Sequence, residues 1–312
     1  LNIPKLKIGN LMPKYPLIQG GMAVRVSTAK LAAAVANEGG IGVIAGSAIS
    51  PEELSSEIKK ARELTKGILG VNIMFAVKNF IELVMTSIES KIDVVISGAG
   101  FSRDVFGICK KSDTPFVPIV SSLKLGLISE KLGASAVIVE GGNAGGHLGT
   151  NKDSWDIVKE IKDALTIPVI GAGGVIDRAD MDRMFKLGVD GVQLGSRFLA
   201  SIESDVSDVF KQLVLKAKKS DMMTLVTSVG LPANAIRTKF SELIASGKNF
   251  EPKKCYLCLK ECSKKFCIFE ALTSAKNGDL ENGLFFAGRD AWRINEILSV
   301  SEIFKNFFNN KN

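Results

Sequence analysis

The sequence predicts an α/β protein, a (β/α)8 TIM barrel with a mostly helical lid inserted after the eighth strand. Three observations lead there. Short runs rich in Val, Ile and Gly alternate with stretches of helical period through the first two-thirds of the chain. There are eight such runs, spaced at about 20 to 30 residues, which requires parallel strands joined by helical crossovers. Glycines cluster after many of the runs, as ligand-binding loops around a barrel mouth require, whereas a doubly wound open sheet usually has its glycine turn after the first strand.

The elements follow in order. Strands are expected at 16–19, 41–45, 69–74, 94–97, 116–120, 136–139, 168–171 and 191–194. Helices are expected at 28–37, 51–64, 81–88, 123–132, 154–165 and 178–187. Ser50, Asp153 and Asp177 stand as N-caps, and Gly133 and Gly188 sit where helices end. Cys109, within Phe106-Gly107-Ile108-Cys109, reads as a buried helix residue. After Phe198 the alternation stops. Residues 201–287 read as helical segments with a cysteine cluster and no clear strands. The tail, 290–308, reads as one amphipathic helix with Trp292, Ile294, Ile297, Leu298 and Ile303 on its apolar side, returning behind the eighth strand. The expected division is therefore a barrel of residues 1–200 plus 288–312 and a lid of 201–287.

The chain has 312 residues and is 46% hydrophobic, enough for a large core. It has neither an apolar run long enough to span a bilayer nor a charged-then-apolar leader, so a cytoplasmic protein is expected. The formal net charge is +7, and the segment 211–267 holds twelve Lys and Arg against four Asp and Glu. No basic block is interleaved with aromatics, which argues against nucleic acid. An acidic carrier protein or a phosphorylated cosubstrate suits the same charge.

The only histidine, His147, lies in the loop Glu140-Gly141-Gly142-Asn143-Ala144-Gly145-Gly146-His147-Leu148-Gly149. Glycines there let the backbone approach a flat or anionic ligand, and imidazole is the side chain suited to moving a proton near neutral pH. The loops after the seventh and eighth strands carry Gly173-Gly174 and Gly195-Ser196, where barrels often build a phosphate site from backbone N–H groups. A phosphorylated flat cofactor is implied, and FMN is the natural choice. Pyridoxal phosphate would need a lysine at the inner end of a strand, and none of the eight strand cores has one. Asn72 ends the third strand, where its amide would meet the polar edge of an isoalloxazine ring.

Together, Gln19-Gly20-Gly21-Met22-Ala23, Gly70-Val71-Asn72, the loop 140–149, Ala172-Gly173-Gly174, Gln193-Leu194-Gly195-Ser196-Arg197-Phe198 and Ser228-Val229-Gly230-Leu231-Pro232 resemble the nitronate monooxygenase (2-nitropropane dioxygenase) family. That family also includes flavin-dependent enoyl-acyl-carrier-protein reductases. The resemblance spans nearly the whole barrel and part of the lid. It implies one non-covalent FMN, contacted by the backbone at Gly20, Gly21, Met22 and Gly145-Gly146. It puts Asn72 and Glu140 beside the ring. Phosphate contacts fall on Gly173-Gly174, Gly195 and Ser196, with Gln193 nearby, and the catalytic role falls on His147. The leading implication is oxidation of alkyl nitronates with O2 to a carbonyl compound and nitrite. The alternative is reduction of an enoyl thioester, with NAD(P)H as cosubstrate. The expected partners are therefore a small-molecule substrate (a nitronate or an enoyl thioester) and O2, without nucleic acid or membrane; a homodimer is kept as an expectation. Two residues depart from the monooxygenase pattern: Glu140 stands where many of them have Gln, and Asn143 where Glu is usual. A charged Glu140 would resist negative charge on the ring unless protonated or paired.

Cys255, Cys258, Cys262 and Cys267 lie within thirteen residues. Thiols this close are candidate ligands for Zn2+ or an iron–sulfur cluster. Packed thiols, or disulfides formed on oxidation, are the alternative. The resemblance gives the cluster no role.

Overall fold

The computed structural model describes residues 3–309. Eight parallel strands close into a barrel: β1 (Leu17–Gln19), β2 (Ile41–Ala45), β3 (Ile68–Met74), β4 (Val94–Gly98), β5 (Phe116–Val120), β6 (Val137–Glu140), β8 (Val169–Ala172) and β9 (Gly191–Leu194). The two-residue β7 (Gly146–His147) lies outside that circuit. Register runs through Val71↔Val95 and Ala172↔Gln193 and closes at Ile18↔Gln193. The period of two divides each strand's side chains between two cores. Ile18, Val43, Ile96, Ile138 and Ile170 fill the barrel with Leu6 and Ile8 of the N-terminal segment. Leu17, Ile44, Val95, Val139 and Val169 face outward against the helices.

Those helices are α1 (Ala29–Glu38), α2 (Pro51–Leu64), α3 (Phe80–Glu89), α4 (Asp104–Lys111), α5 (Leu123–Lys131), α6 (Ser154–Ala164) and α7 (Arg178–Lys186). Ser50 accepts from Glu53 N–H, and Asp177 forms a capping box with Asp180. Gly133 and Gly188 take φ of 90° and 89° just past α5 and α7. Asp153 starts α6 without capping it; its carboxylate pairs with Arg289 instead.

After β9 the chain forms α8 (Ser196–Leu199) and α9 (Asp208–Lys216), then an antiparallel hairpin, β10 (Met222–Val226) and β11 (Pro232–Ile236). The hairpin corrects the expectation of no strands in this region. It exists because β11 pairs with β7, at Ala233↔His147 and Asn234↔Gly146. Two helices follow, α10 (Lys239–Ala245) and α11 (Ile268–Asn277). The tail is also corrected. Residues 291–293 form a short 3-10 turn, and only α12 (Val300–Phe308) is a helix, opened by a Ser299–Glu302 capping box. As expected for the final helix, α12 packs between α7 and α1 and completes the outer ring. Its Phe308 stacks on Tyr15 at 4.2 Å. The last three residues of the expected barrel segment, 310–312, lie outside the described residues.

Candidate active site

The strands end at one face, and the loops leaving them enclose a cavity. Every residue singled out for a flavin or for catalysis lines it: Gly20, Gly21, Met22, Asn72, Glu140, Gly145, Gly146, His147, Gly173, Gly174, Gln193, Gly195 and Ser196. They converge because each lies in the C-terminal half of a parallel strand or in the loop that leaves one.

The β1 end is fixed by Gln19, which is fully buried. Its amide donates to Gly20 O and Ser27 Oγ and accepts from Val43 N–H (3.0 Å), joining β1, β2 and the loop between them. Ser27 Oγ also accepts from Met22 N–H at 2.9 Å. Beside this loop, Asn72 Nδ2 donates to Gly21 O (3.2 Å), while its buried Oδ1 has no partner among the described residues.

Across the mouth, Gly173 and Gly174 take φ of 102° and 76°. A Cβ on either would strike the Asn143 amide, at 2.6 and 2.4 Å. These glycines are thus required by the turn and by Asn143, beyond any approach of a ligand. Asn143 accepts from Ser154 N–H (3.1 Å), and its buried Nδ2 is an unpaired donor beside Gly174. Gly195 is different: a Cβ there would meet only Met22 Sδ, at 4.0 Å, so it opens onto the cavity. Ser196 Oγ accepts from Gly288 N–H (2.9 Å) and keeps its own proton to donate.

These features suit a phosphorylated ring. An unpaired acceptor, Asn72 Oδ1, stands at one side; an unpaired donor, Asn143 Nδ2, stands by the glycine turn; and an open backbone cradle lies at Gly195. Glu140, at the end of β6, has no side-chain hydrogen bond among the described residues, and burial pushes its carboxyl up to about 8. It is therefore uncharged at neutral pH.

His147 is held by two residues of the segment after β9, Thr227 and Phe286. It packs edge-on against Phe286 with ring centroids 5.3 Å apart, and its Nε2 lies 2.9 Å from Thr227 Oγ1. Burial lowers its pKa to about 4, so the ring is neutral. The Leu231 carbonyl already accepts Thr227 N–H at 3.0 Å and lies 3.4 Å from the hydroxyl. The hydroxyl also accepts Val229 N–H at 3.3 Å and anchors the ring through Nε2. From below, Asn234 Nδ2 donates to the carbonyls of Gly142 (2.8 Å) and Ala144 (2.7 Å), fixing the histidine loop. Thr227 and Asn234 were missed in the sequence. Thr227 directly precedes the Ser228–Pro232 motif, and Asn234 is a polar residue inside the apolar run Pro232-Ala233-Asn234-Ala235-Ile236, a pattern that calls for a buried partner.

Val229, Leu259, Ile268, Phe269, Leu272 and Phe286, from the segment after β9, also line the cavity. No Lys or Arg is among the described residues that line it. Of the four clustered cysteines, Cys258 alone reaches the cavity. All are free thiols, and among the described residues no group of three or more His, Cys, Asp or Glu is arranged to hold a metal ion. Cys109 is buried in α4, and burial pushes its thiol up to about 12. Among the described residues no helix is long and apolar enough to cross a membrane.

A TIM barrel with a deep cavity at the C-terminal ends of its strands, amide-lined at one end and capped over a single imidazole, is an enzyme scaffold. The family model described as nitronate monooxygenase matches residues 5–84 and 74–310. The chain belongs to the nitronate monooxygenase family and is an oxidoreductase. It is 36% identical to FabK from Thermotoga maritima, with a TM-score of 0.87 over 95% of this chain and 92% of that one. It is 28% identical to a probable nitronate monooxygenase of Staphylococcus aureus (strain JH9), over 73% of this chain and 77% of the relative. A nitroalkane oxidase from Streptomyces ansochromogenes shares the fold at 21% identity, with a TM-score of 0.81 and 95% of each chain covered.

Proposed function

We propose that the chain binds FMN in this cavity and reduces the conjugated double bond of an enoyl thioester, with NAD(P)H as the reductant. The observation that carries this reading is the lining of the cavity: apolar side chains such as Val229, Leu259, Ile268, Phe269 and Leu272, no cation among the described lining residues, and a neutral imidazole. A neutral thioester with an apolar chain enters such a space at little cost, whereas an anionic substrate would lose its hydration without gaining a counter-charge. FMN, when bound, supplies the hydride chemistry that no side chain offers.

The chain's residues take the following parts. Backbone groups at Gly20, Gly21, Met22, Gly145, Gly146, Gly173 and Gly174 receive the cofactor, with Gly195, Ser196 and Gln193 at its phosphate end. Asn72 Oδ1 accepts from the ring edge, filling the one hydrogen bond it lacks. Glu140 stays protonated beside the ring, so it does not oppose negative charge there. His147 donates a ring N–H to the thioester carbonyl, drawing electron density away from the double bond; a neutral imidazole suits this and is too weakly basic to strip a carbon-bound proton. Phe286 and the lid residues exclude water.

A second reading is oxidation of a nitronate by O2, which the family description and the name of the Staphylococcus aureus relatives favour. Mixing the yellow protein anaerobically with NADPH, and separately with propionate 3-nitronate, separates the two. Rapid bleaching by NADPH, with colour restored by an enoyl thioester, supports the reductase. A protein that stays yellow with NADPH and forms nitrite from the nitronate in air refutes it in favour of the monooxygenase.

A further inference from the structure

The loop 287–290 closes the side of the cavity that carries Gly174 and Ser196, and it brings a carboxylate there. Two backbone bonds clamp the loop: Gly288 N–H donates to Ser196 Oγ (2.9 Å), and Arg289 N–H donates to the Asn143 carbonyl (3.1 Å). Asp290 is thereby placed on the cavity lining with Gly173, Gly174, Gly195 and Ser196. Its Oδ2 stands 3.2 Å from the point that a Cβ on Gly174 would occupy. The unpaired Asn143 Nδ2 closes on the same point. Asp290 is half-buried, and its carboxylate accepts no hydrogen bond among the described residues.

The surrounding charges are committed elsewhere. Arg289 pairs with Asp153, and Arg293 pairs with Asp177 (2.5 Å) and Asp180 (2.9 Å). Lys219 also acts on Asp290 but does not line the cavity, and Asp180 opposes it. Burial outweighs all of these and raises the Asp290 carboxyl above its ordinary range. A phosphate cradled at Gly174, Gly195 and Ser196 therefore meets an acid, with no Lys or Arg among the described lining residues. Two anions side by side and shielded from water repel each other. A shared proton turns that repulsion into a charge-assisted hydrogen bond.

We propose that Asp290 takes up one proton when FMN binds and donates it, as the neutral acid, in a hydrogen bond to the phosphate, so that the chain's hold on FMN weakens as pH rises. Ionised Asp290, the phosphate dianion and one proton from solvent give the protonated carboxyl bonded to the dianion. No bond of the cofactor breaks, and nothing is oxidised or reduced. This role rests on the FMN reading proposed above. It makes Asp290 a residue that senses the phosphate, and riboflavin, which has none, escapes the effect.

The test uses the flavin-loaded full chain, brought to dialysis equilibrium with graded FMN, and separately with riboflavin, at pH 7, 8 and 9. This range lies above the phosphate's own titration at about pH 6. Bound flavin is read by absorbance and the fold by circular dichroism. From pH 7 to pH 9 the FMN dissociation constant is expected to rise by at least about tenfold beyond any rise seen with riboflavin. Glu140 titrates beside the ring that both flavins share, so its effect cancels in this comparison. Asp290→Asn should abolish the excess, because an amide carries its hydrogen at every pH. Equal pH dependence for the two flavins in wild type overturns the proposal without recourse to a variant. So does an excess that survives in Asp290→Asn. A chain that binds neither flavin at any pH rejects the FMN reading itself, whereas one that binds both with equal pH dependence rejects only the role of Asp290.

Discussion

The two ends of the cavity are held in place by different means. At the barrel end, strand register fixes the residues, and most of the exposed polar groups belong to the backbone. Gln19 ties neighbouring strand ends together within the first 43 residues. At the lid end, side chains reach across the sequence: His147 to Thr227, and Asn234 to Gly142 and Ala144. The barrel surface is thus a property of the scaffold, suited to one constant cofactor. The lid surface is assembled from separate loops, and changes there alter the substrate end alone. Damage to the first should strip the cofactor; damage to the second should leave the protein yellow and slow.

The largest effect is expected from Gly195→Leu. The residue's φ of −104° is open to any side chain, and its Cβ would meet nothing but the cavity. The fold should therefore survive while the side chain occupies the cradle, weakening FMN by about 100-fold or more. The purified protein should be colourless and inactive, with an unchanged circular dichroism spectrum. A yellow, active Gly195→Leu protein would show that the cofactor's phosphate lies elsewhere and would break the contrast at its barrel end.

His147→Ala should do the reverse, keeping FMN at one per chain while turnover falls by roughly 10²-fold. Thr227→Val is the finer probe. Losing the hydroxyl leaves Nε2 without its partner at a cost of about 1–3 kcal/mol, so kcat should fall by about tenfold with KM little changed. Thr227→Ser should restore most of it. If valine and serine behave alike, the hydroxyl does not orient the imidazole and the lid's part in the contrast is lost.

That contrast also explains what could be read from the chain. All eight barrel strands and the cavity residues were legible, because in a parallel barrel the residue after each strand necessarily lies at the mouth. The hairpin was not. Its strands are short, only Leu225 of Met222–Val226 is buried, and its stabilising partner is the two-residue β7, far away in sequence. Thr227 and Asn234 were hidden for the same reason, since their partners lie 80 to 92 residues away. Asp153 had the composition of a cap, but the ion pair with Arg289 claimed its carboxylate. The start of α12 was written in the sequence: Ser299 and Glu302 have the spacing of a capping box, and the apolar residues before them obscured it.

The smallest effect at neutral pH, and the most informative about the barrel end, concerns Glu140. Burial raises its pKa from the ordinary carboxylate range to about 8, so the neutral form dominates at pH 7 and the charged form at pH 9. The fraction protonated falls by about tenfold between those values. If the neutral form is the competent one, wild-type turnover should fall by about as much, while Glu140→Gln should match wild type at pH 7 and stay flat to pH 9. Stability follows the same sign. Because the folded-state pKa is raised, this group's contribution is fully present below the unfolded carboxyl's pKa and is lost as pH rises through about 8. The melting temperature of wild type relative to Glu140→Gln should therefore fall between about pH 4.5 and pH 8 and level off above that, with both proteins measured with FMN bound. A wild-type profile that stays level through pH 9 would mean that water reaches the carboxyl. The barrel end would then be no better shielded than the lid, and Glu140 would face the cofactor as an ordinary anion.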